Sequence, residues 1–364
     1  MRLSVVSLIA LGITVFVLSY VAQPALPPLS YTVIELGTFN QTAGEIVRGL
    51  NLESEVIGAA VVSGSGPRAF LRKNTSFENL GGLSRTDWSV SHGINEHGSV
   101  VGSSNTATSL KAFLWTRKDG MRDLGTLPGD SGSEAFGINK HNEVAGYSSG
   151  PEGIEAVLWT SDGQIQGLGT LAMGDDSRAF GINEHGEVIG SSGNSRRSSA
   201  FLWTRRGGME SLGTLRGDSH AVAVSINKFT QVVGYSDGPS GTRAFLWTHS
   251  DGMQNLGTLP GGNSSRALSI NDRGEVVGTS ASSVGPRAFL WTRARGMEDL
   301  NSLVPAGSDF VLAQAISIND LGTILATAAE GGGNGDGHTQ GDGDAHDNHE
   351  LPTRFFLLLP RAKG

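Results

Sequence analysis

Ala288-Phe289-Leu290-Trp291-Thr292 carries apolar side chains at successive positions, so both faces of the strand it would form are apolar. A strand with one wet face alternates apolar and polar residues. This one needs cover on both sides. The flanking residues supply the rest of a unit. Upstream, Arg266-Ala267-Leu268-Ser269-Ile270-Asn271 and Glu275-Val276-Val277-Gly278 are two short strands joined through Asp272-Arg273-Gly274. Asn-x-x-Gly suits such a turn: the Asn side chain caps it and Gly takes the left-handed position. Downstream, Gly296 turns the chain into Met297-Glu298-Asp299-Leu300. Four short strands, one of them buried on both faces, fit a propeller blade stacked between two others.

The unit recurs. Leu-Gly pairs stand at Leu36, Leu80, Leu124, Leu168, Leu212 and Leu256, with Leu300-Asn301 as a degenerate seventh; each step is 44 residues. Asn51, Asn95, Asn139, Asn183, Asn227 and Asn271 run in phase, and Asn319 follows four residues late. Gly58, Gly102, Gly146, Gly190, Gly234 and Gly278 are a third landmark, and the Ala-Phe-Leu-Trp-Thr strand is a fourth. The fold class predicted is all-β: a seven-bladed β-propeller of four-stranded blades over residues 31–360. The ends predict its closure. Tyr31–Thr38 is a last strand with no Phe-Leu-Trp strand before it, and Phe355–Leu359 is a Phe-Leu-Trp-type strand with no Leu-Gly strand after it. Pairing the two completes the seventh blade and leaves no sheet edge.

Composition agrees. Gly is abundant, at 53 residues, as many tight turns require. Net charge is −8, which argues against nucleic acid, since that binding rests on a basic surface. Cysteine is absent, so neither disulfides nor Cys-ligated zinc contributes, and the blades must hold by packing. Arg2 precedes an uncharged run from Leu3 to Ala22. Such a start predicts export, with residues 1–25 either a signal peptide or an N-terminal membrane anchor. The propeller would then lie outside the cytoplasm, whether secreted, periplasmic or anchored at the cell surface.

The combination of Arg/Lys-Ala-Phe-Leu-Trp-Thr, Gly-Met-x-x-Leu-Gly-Thr-Leu-Pro-Gly-Gly and Ala-x-x-Ile-Asn-x-x-Gly-x-Val-Val-Gly resembles the HAF family of bacterial extracellular repeat proteins, over nearly everything from Tyr31 to Leu359. This chain has Arg-Ala-Phe or Lys-Ala-Phe where the family name reflects His-Ala-Phe. The resemblance implies bacterial export and a repeat architecture, and no particular activity.

Candidate sites are few. His97, His141 and His185 share one turn position, but equivalent turns on neighbouring blades lie about 10 Å apart, too far to share an ion. Arg216-Gly217-Asp218-Ser219 is an adhesion-like sequence in a loop that every unit has. A Gly/Asp/His-rich insertion at 330–352 interrupts the last unit, and its Asp342, Asp344, His346 and His349 are candidate ligands for a divalent cation; no cofactor is otherwise implied. The unit containing Thr86-Asp87-Trp88-Ser89-Val90-Ser91-His92 departs from the pattern, and Asp87, Trp88 and His92 are the candidate ligand-binding residues. No catalytic motif is present. The sequence therefore predicts a monomeric, non-catalytic module that binds protein or glycan. The alternative is a propeller hydrolase or lyase with a site at the central channel.

Overall fold

The computed structural model describes residues 4–10, 13–19, 29–37, 46–61, 66–84, 88–172, 174–329 and 354–361. Ser4–Ala10 and Ile13–Ser19 pair as a separate two-stranded sheet. Among the described residues no helix is long and apolar enough to cross a membrane.

From Tyr31 onward, the described residues form 28 strands in antiparallel four-stranded sheets, with no α-helix among them. Blade one runs Ile46–Leu50, Val56–Val61, Pro67–Lys73 and Ser76–Gly81, each strand pairing the next. Blades two to six repeat this order from Ser89, Gly132, Asp176, His220 and Ser265. Blades four and five are also bridged by the single parallel pair Ser198–His220. Blade seven is composite. Val311–Ile318, Ile324–Ala329 and Arg354–Pro360 come from the C-terminal end, and Tyr31–Glu35 from the N-terminal end. The two ends pair as predicted, in the register Tyr31–Pro360 to Glu35–Phe356. The Leu36 amide continues the ladder to the Phe355 carbonyl.

The first strands of neighbouring blades touch all the way round, including the seventh against the first, so they surround the axis. The third strand explains its doubly apolar sequence. In blade four, Phe201 and Trp203 pack back on Ala145, Ala156 and Leu158 of blade three, while Ala200 and Leu202 pack forward on Ala221, Ala223 and Val232 of blade five. Such a cluster fills each interface from blade one round to blade seven, and Leu325, Phe355 and Leu357 of blade seven meet Val47, Val56 and Phe70 of blade one in the same way. Phe70, Phe113, Phe201, Phe245, Phe289 and Phe356 are fully buried. Each contributes roughly 1.5–3 kcal/mol of apolar burial.

The recurring Asn has a second role besides capping its turn. The Asn95 Oδ1 accepts from the amides of His97 and Ser99, and its Nδ2 donates to the carbonyl of Asn139 in the next blade. Asn139 reaches Asn183 in the same way, Asn183 reaches Asn227, Asn227 reaches Asn271, and Asn271 reaches Asn319. Asn319 donates to Asn51 and Asn51 to Asn95, so the chain of bonds returns to its start. It girdles one end of the channel, called here the Asn end.

Candidate functional site

Each first strand slips register at a corresponding point: between Val47 and Gly49, Ser91 and Gly93, Ala135 and Gly137, Ala179 and Gly181, Ala223 and Ser225, Ala267 and Ser269, and Ala315 and Ser317. A bulge leaves its extra residue unpaired and re-aims the side chain. The extra residues are Arg48, His92, Phe136, Phe180, Val224, Leu268 and Ile316, one per blade. Each is half-buried, on the strand that faces the axis. They form one layer across the channel. Phe136 and Phe180 meet edge to face at 5.4 Å, and the His92 ring lies 4.9 Å from Phe136. Five members of the layer are apolar. The two that are not, Arg48 and His92, are neighbours in blades one and two.

Arg48 is the odd group. Its Nε is buried and has no hydrogen-bond partner among the described residues. Burial draws its guanidinium below the usual arginine range. His92 is half-buried near it, close enough to feel its charge. Burial first, and then the Arg48 charge, pull its pKa down to about 3, so the ring is neutral at physiological pH. Its Nε2 lies 3.2 Å from Ser103 Oγ and 3.9 Å from a Glu134 carboxylate oxygen. The Tyr147 hydroxyl donates to the other oxygen of Glu134. Glu134 stands two residues before Phe136 on its strand, one layer further from the Asn end. Arg178 and Arg266 occupy the same position in blades four and six. They lie over the rings of Tyr147 and Tyr235, at 5.7 and 4.6 Å. Arg48, Arg178 and Arg266 thus outnumber Glu134 in these two layers.

The Asn end has the opposite character. Glu96, Glu184, Asp272 and Asp320 accept from backbone amides of the preceding blades, and Lys140 and Lys228 pair with Glu184 and Asp272. Burial, with the facing Asp320 and Glu184, raises the Glu96 pKa. Burial, opposed by the Asp272 amide and supported by the Asp272 charge, raises that of Asp320. The channel is therefore acidic at one end and basic beyond the bulge layer.

Of the residues singled out by sequence, His92 takes its place in the bulge layer. Trp88 is half-buried just before the same strand, at the end remote from the Asn girdle, and its carbonyl accepts from the Asn105 amide. Asp87 lies outside the described residues, as do Asp342, Asp344, His346 and His349. His97, His141 and His185 are exposed on their turns. Among the described residues no three His, Asp or Glu gather into a group able to hold a metal. Asp218 of the adhesion-like loop is engaged within its own blade, accepting from Ser236 Oγ at 2.7 Å; Asp130 does the same with Ser148. Sequence reasoning missed Arg48, Glu134, Tyr147 and Arg178. The signal was available: positions 48, 92, 136, 180, 224 and 268 keep the 44-residue step, and an Arg stands where aromatic and aliphatic residues recur.

No protein-family model and no curated protein matches the chain. Solved structures do match. Virginiamycin B lyase from Staphylococcus aureus aligns at a TM-score of 0.55 and 13% identity, over 90% of this chain and 99% of that one. Puromycin hydrolase aligns at 0.56 and 11%, over 80% of this chain, and prolyl endopeptidase at 0.54 and 9%, over 82%. This chain spans only 50% and 46% of those two. At such identities the likeness is one of fold, and the fold it establishes is the β-propeller.

Proposed function

We propose that this chain is an exported propeller of the HAF-like kind that binds a ligand in its channel, on the side of the bulge layer away from the Asn end, without transforming it. One observation supports this most. Where the repeat would place apolar groups across the channel, blades one and two place Arg48 and His92 side by side. A buried donor left unpaired, as the Arg48 Nε is among the described residues, costs about 1–3 kcal/mol. A fold would lose that stability for nothing unless the group met a partner from outside. The test is a glycan and protein array probed with residues 31–364 and with the Arg48→Leu, His92→Leu variant, which makes the layer wholly apolar. Hits on the wild type that vanish with the variant are expected. Hits retained by the variant would move binding to the outer surface.

A second reading rests on the proximity of His92 and Glu134. A neutral imidazole 3.9 Å from a carboxylate has the composition of an acid–base pair. The propeller fold shared with a lyase and a hydrolase is compatible with this, although fold does not carry activity. Turnover of an array hit, abolished by His92→Gln with binding intact, would establish the enzyme.

A further inference from the structure

The chemistry of the bulge layer narrows the ligand class; this step rests on the channel reading above. Arg48 is half-buried in the layer, and nothing among the described residues accepts from its Nε. Its neighbour His92 is neutral and tied toward Ser103 and Glu134, so it supplies no counter-charge. The next layer adds the cations Arg178 and Arg266 against the single carboxylate Glu134, which is itself engaged by Tyr147. Asp176 and His220, further along the inner strands of blades four and five, are taken up by the Ile154 amide and by Ser198 Oγ. The remaining floor is apolar and partly aromatic: Phe136, Phe180, Val224, Leu268 and Ile316. Guanidinium groups donate charge-assisted bonds to oxyanions, and half-exposed ring faces pack against flat apolar surface.

We infer that the channel takes a small organic carboxylate, its carboxylate on Arg48 and its ring on Phe136 and Phe180. The net charge of −8 makes this local excess of Arg the more informative, because it opposes the charge of the molecule. A carboxylate on a six-membered ring occurs in aromatic acids and in acidic sugars, and the test separates the two.

The experiment is calorimetric titration of the full chain with benzoate and with D-glucuronate, each against its uncharged counterpart, benzamide and glucose. At least one acid is expected to bind ten-fold or more tightly than its counterpart. Arg48→Gln should erase that preference and Arg48→Lys should keep part of it. Thermal unfolding of both variants checks that they remain folded. Preference for benzoate identifies the aromatic source, and preference for glucuronate the sugar source. Equal binding of acid and neutral counterpart, lost on Phe136→Ala, would overturn the charge assignment while leaving the channel reading in place. Binding of an acid that neither Arg48→Gln nor Phe136→Ala weakens would overturn both. Failure of all four probes to bind the wild type would overturn the ligand class.

Discussion

Asn183 and His92 show how one residue type is fixed by what it must satisfy. The Asn183 Oδ1 accepts from the amides of His185 and Glu187, and its Nδ2 donates to the Glu187 carboxylate and the Asn227 carbonyl. Aspartate could not donate and serine could not reach. Asn183→Ala leaves those buried groups unpaired, and should cost about 1–3 kcal/mol in urea unfolding. A change below 0.5 kcal/mol would mean that water replaces the side chain. His92 carries the opposite kind of constraint. Its ring stays neutral in the fold down to a pKa of about 3, whereas the unfolded chain protonates it near the ordinary 6.5. The folded pKa is depressed. The stability linked to the neutral ring is therefore complete above about pH 6.5 and is lost as pH falls toward 3. Carboxylates titrate in the lower part of that window, so the measurement is a difference. The stability of His92→Phe relative to wild type should rise steadily from pH 7.5 to 5.5, and a flat difference would contradict the burial.

The second strand of each blade turns on one glycine. A Cβ at Gly190 would lie 1.9 Å from the Arg178 carbonyl oxygen and 2.8 Å from the Phe201 ring. Gly58, Gly102, Gly146, Gly234 and Gly278 meet the same backbone atom at 1.9–2.0 Å. The close approach sits beside the bulge that re-aims the channel residue, so the glycine and the bulge form one device. Gly190→Ala should destabilise by at least about 1–3 kcal/mol, the usual cost of overpacking, and should disturb the Phe180 environment. An unchanged unfolding midpoint would show that the strands can part at no cost. Blade seven departs from the rule. Ala326 is buried there, and the strand beside it has a second register shift, between Leu312 and Gln314. Its Asn-x-x-Gly turn is retained, with Gly322 at φ +83°.

At the scale of the molecule, the first and last strands of the propeller are held in one sheet. Thr32 faces Leu359 across the last strand pair, and Arg354 makes a two-pronged pair with Glu35 at 2.7 and 2.8 Å. Because the chain has no cysteine, Thr32→Cys with Leu359→Cys gives a clean report on this pairing. Facing strand partners lie within disulfide reach. Oxidation should lock the ends together, speed migration on a non-reducing gel and raise the unfolding temperature. Failure to cross-link would break the composite blade. The other molecular feature is the charge gradient along the channel, from Glu96, Glu184, Asp272 and Asp320 at the Asn end to Arg48, Arg178 and Arg266 beyond the layer. The two groups come from different positions of the same repeat, one after the Asn and the others before it.

Sequence alone determined the blade. The 44-residue step, the doubly apolar Phe-Leu-Trp strand and the complementary half-blades at Tyr31 and Phe355 are local or periodic signals, and each follows from strand geometry and the need for cover. It also pointed to His92, because a polar residue interrupts a regular pattern there. The tertiary structure decided the partners of that residue. Arg48 and Glu134 lie 44 and 42 residues away from His92, and only a bulge in each inner strand turns them toward a common axis. A bulge depends on hydrogen bonds to the neighbouring strand, which no single segment records. The same is true of the Asn girdle: the sequence explains each Asn as a turn cap, while its second bond exists only because seven turns meet around one channel.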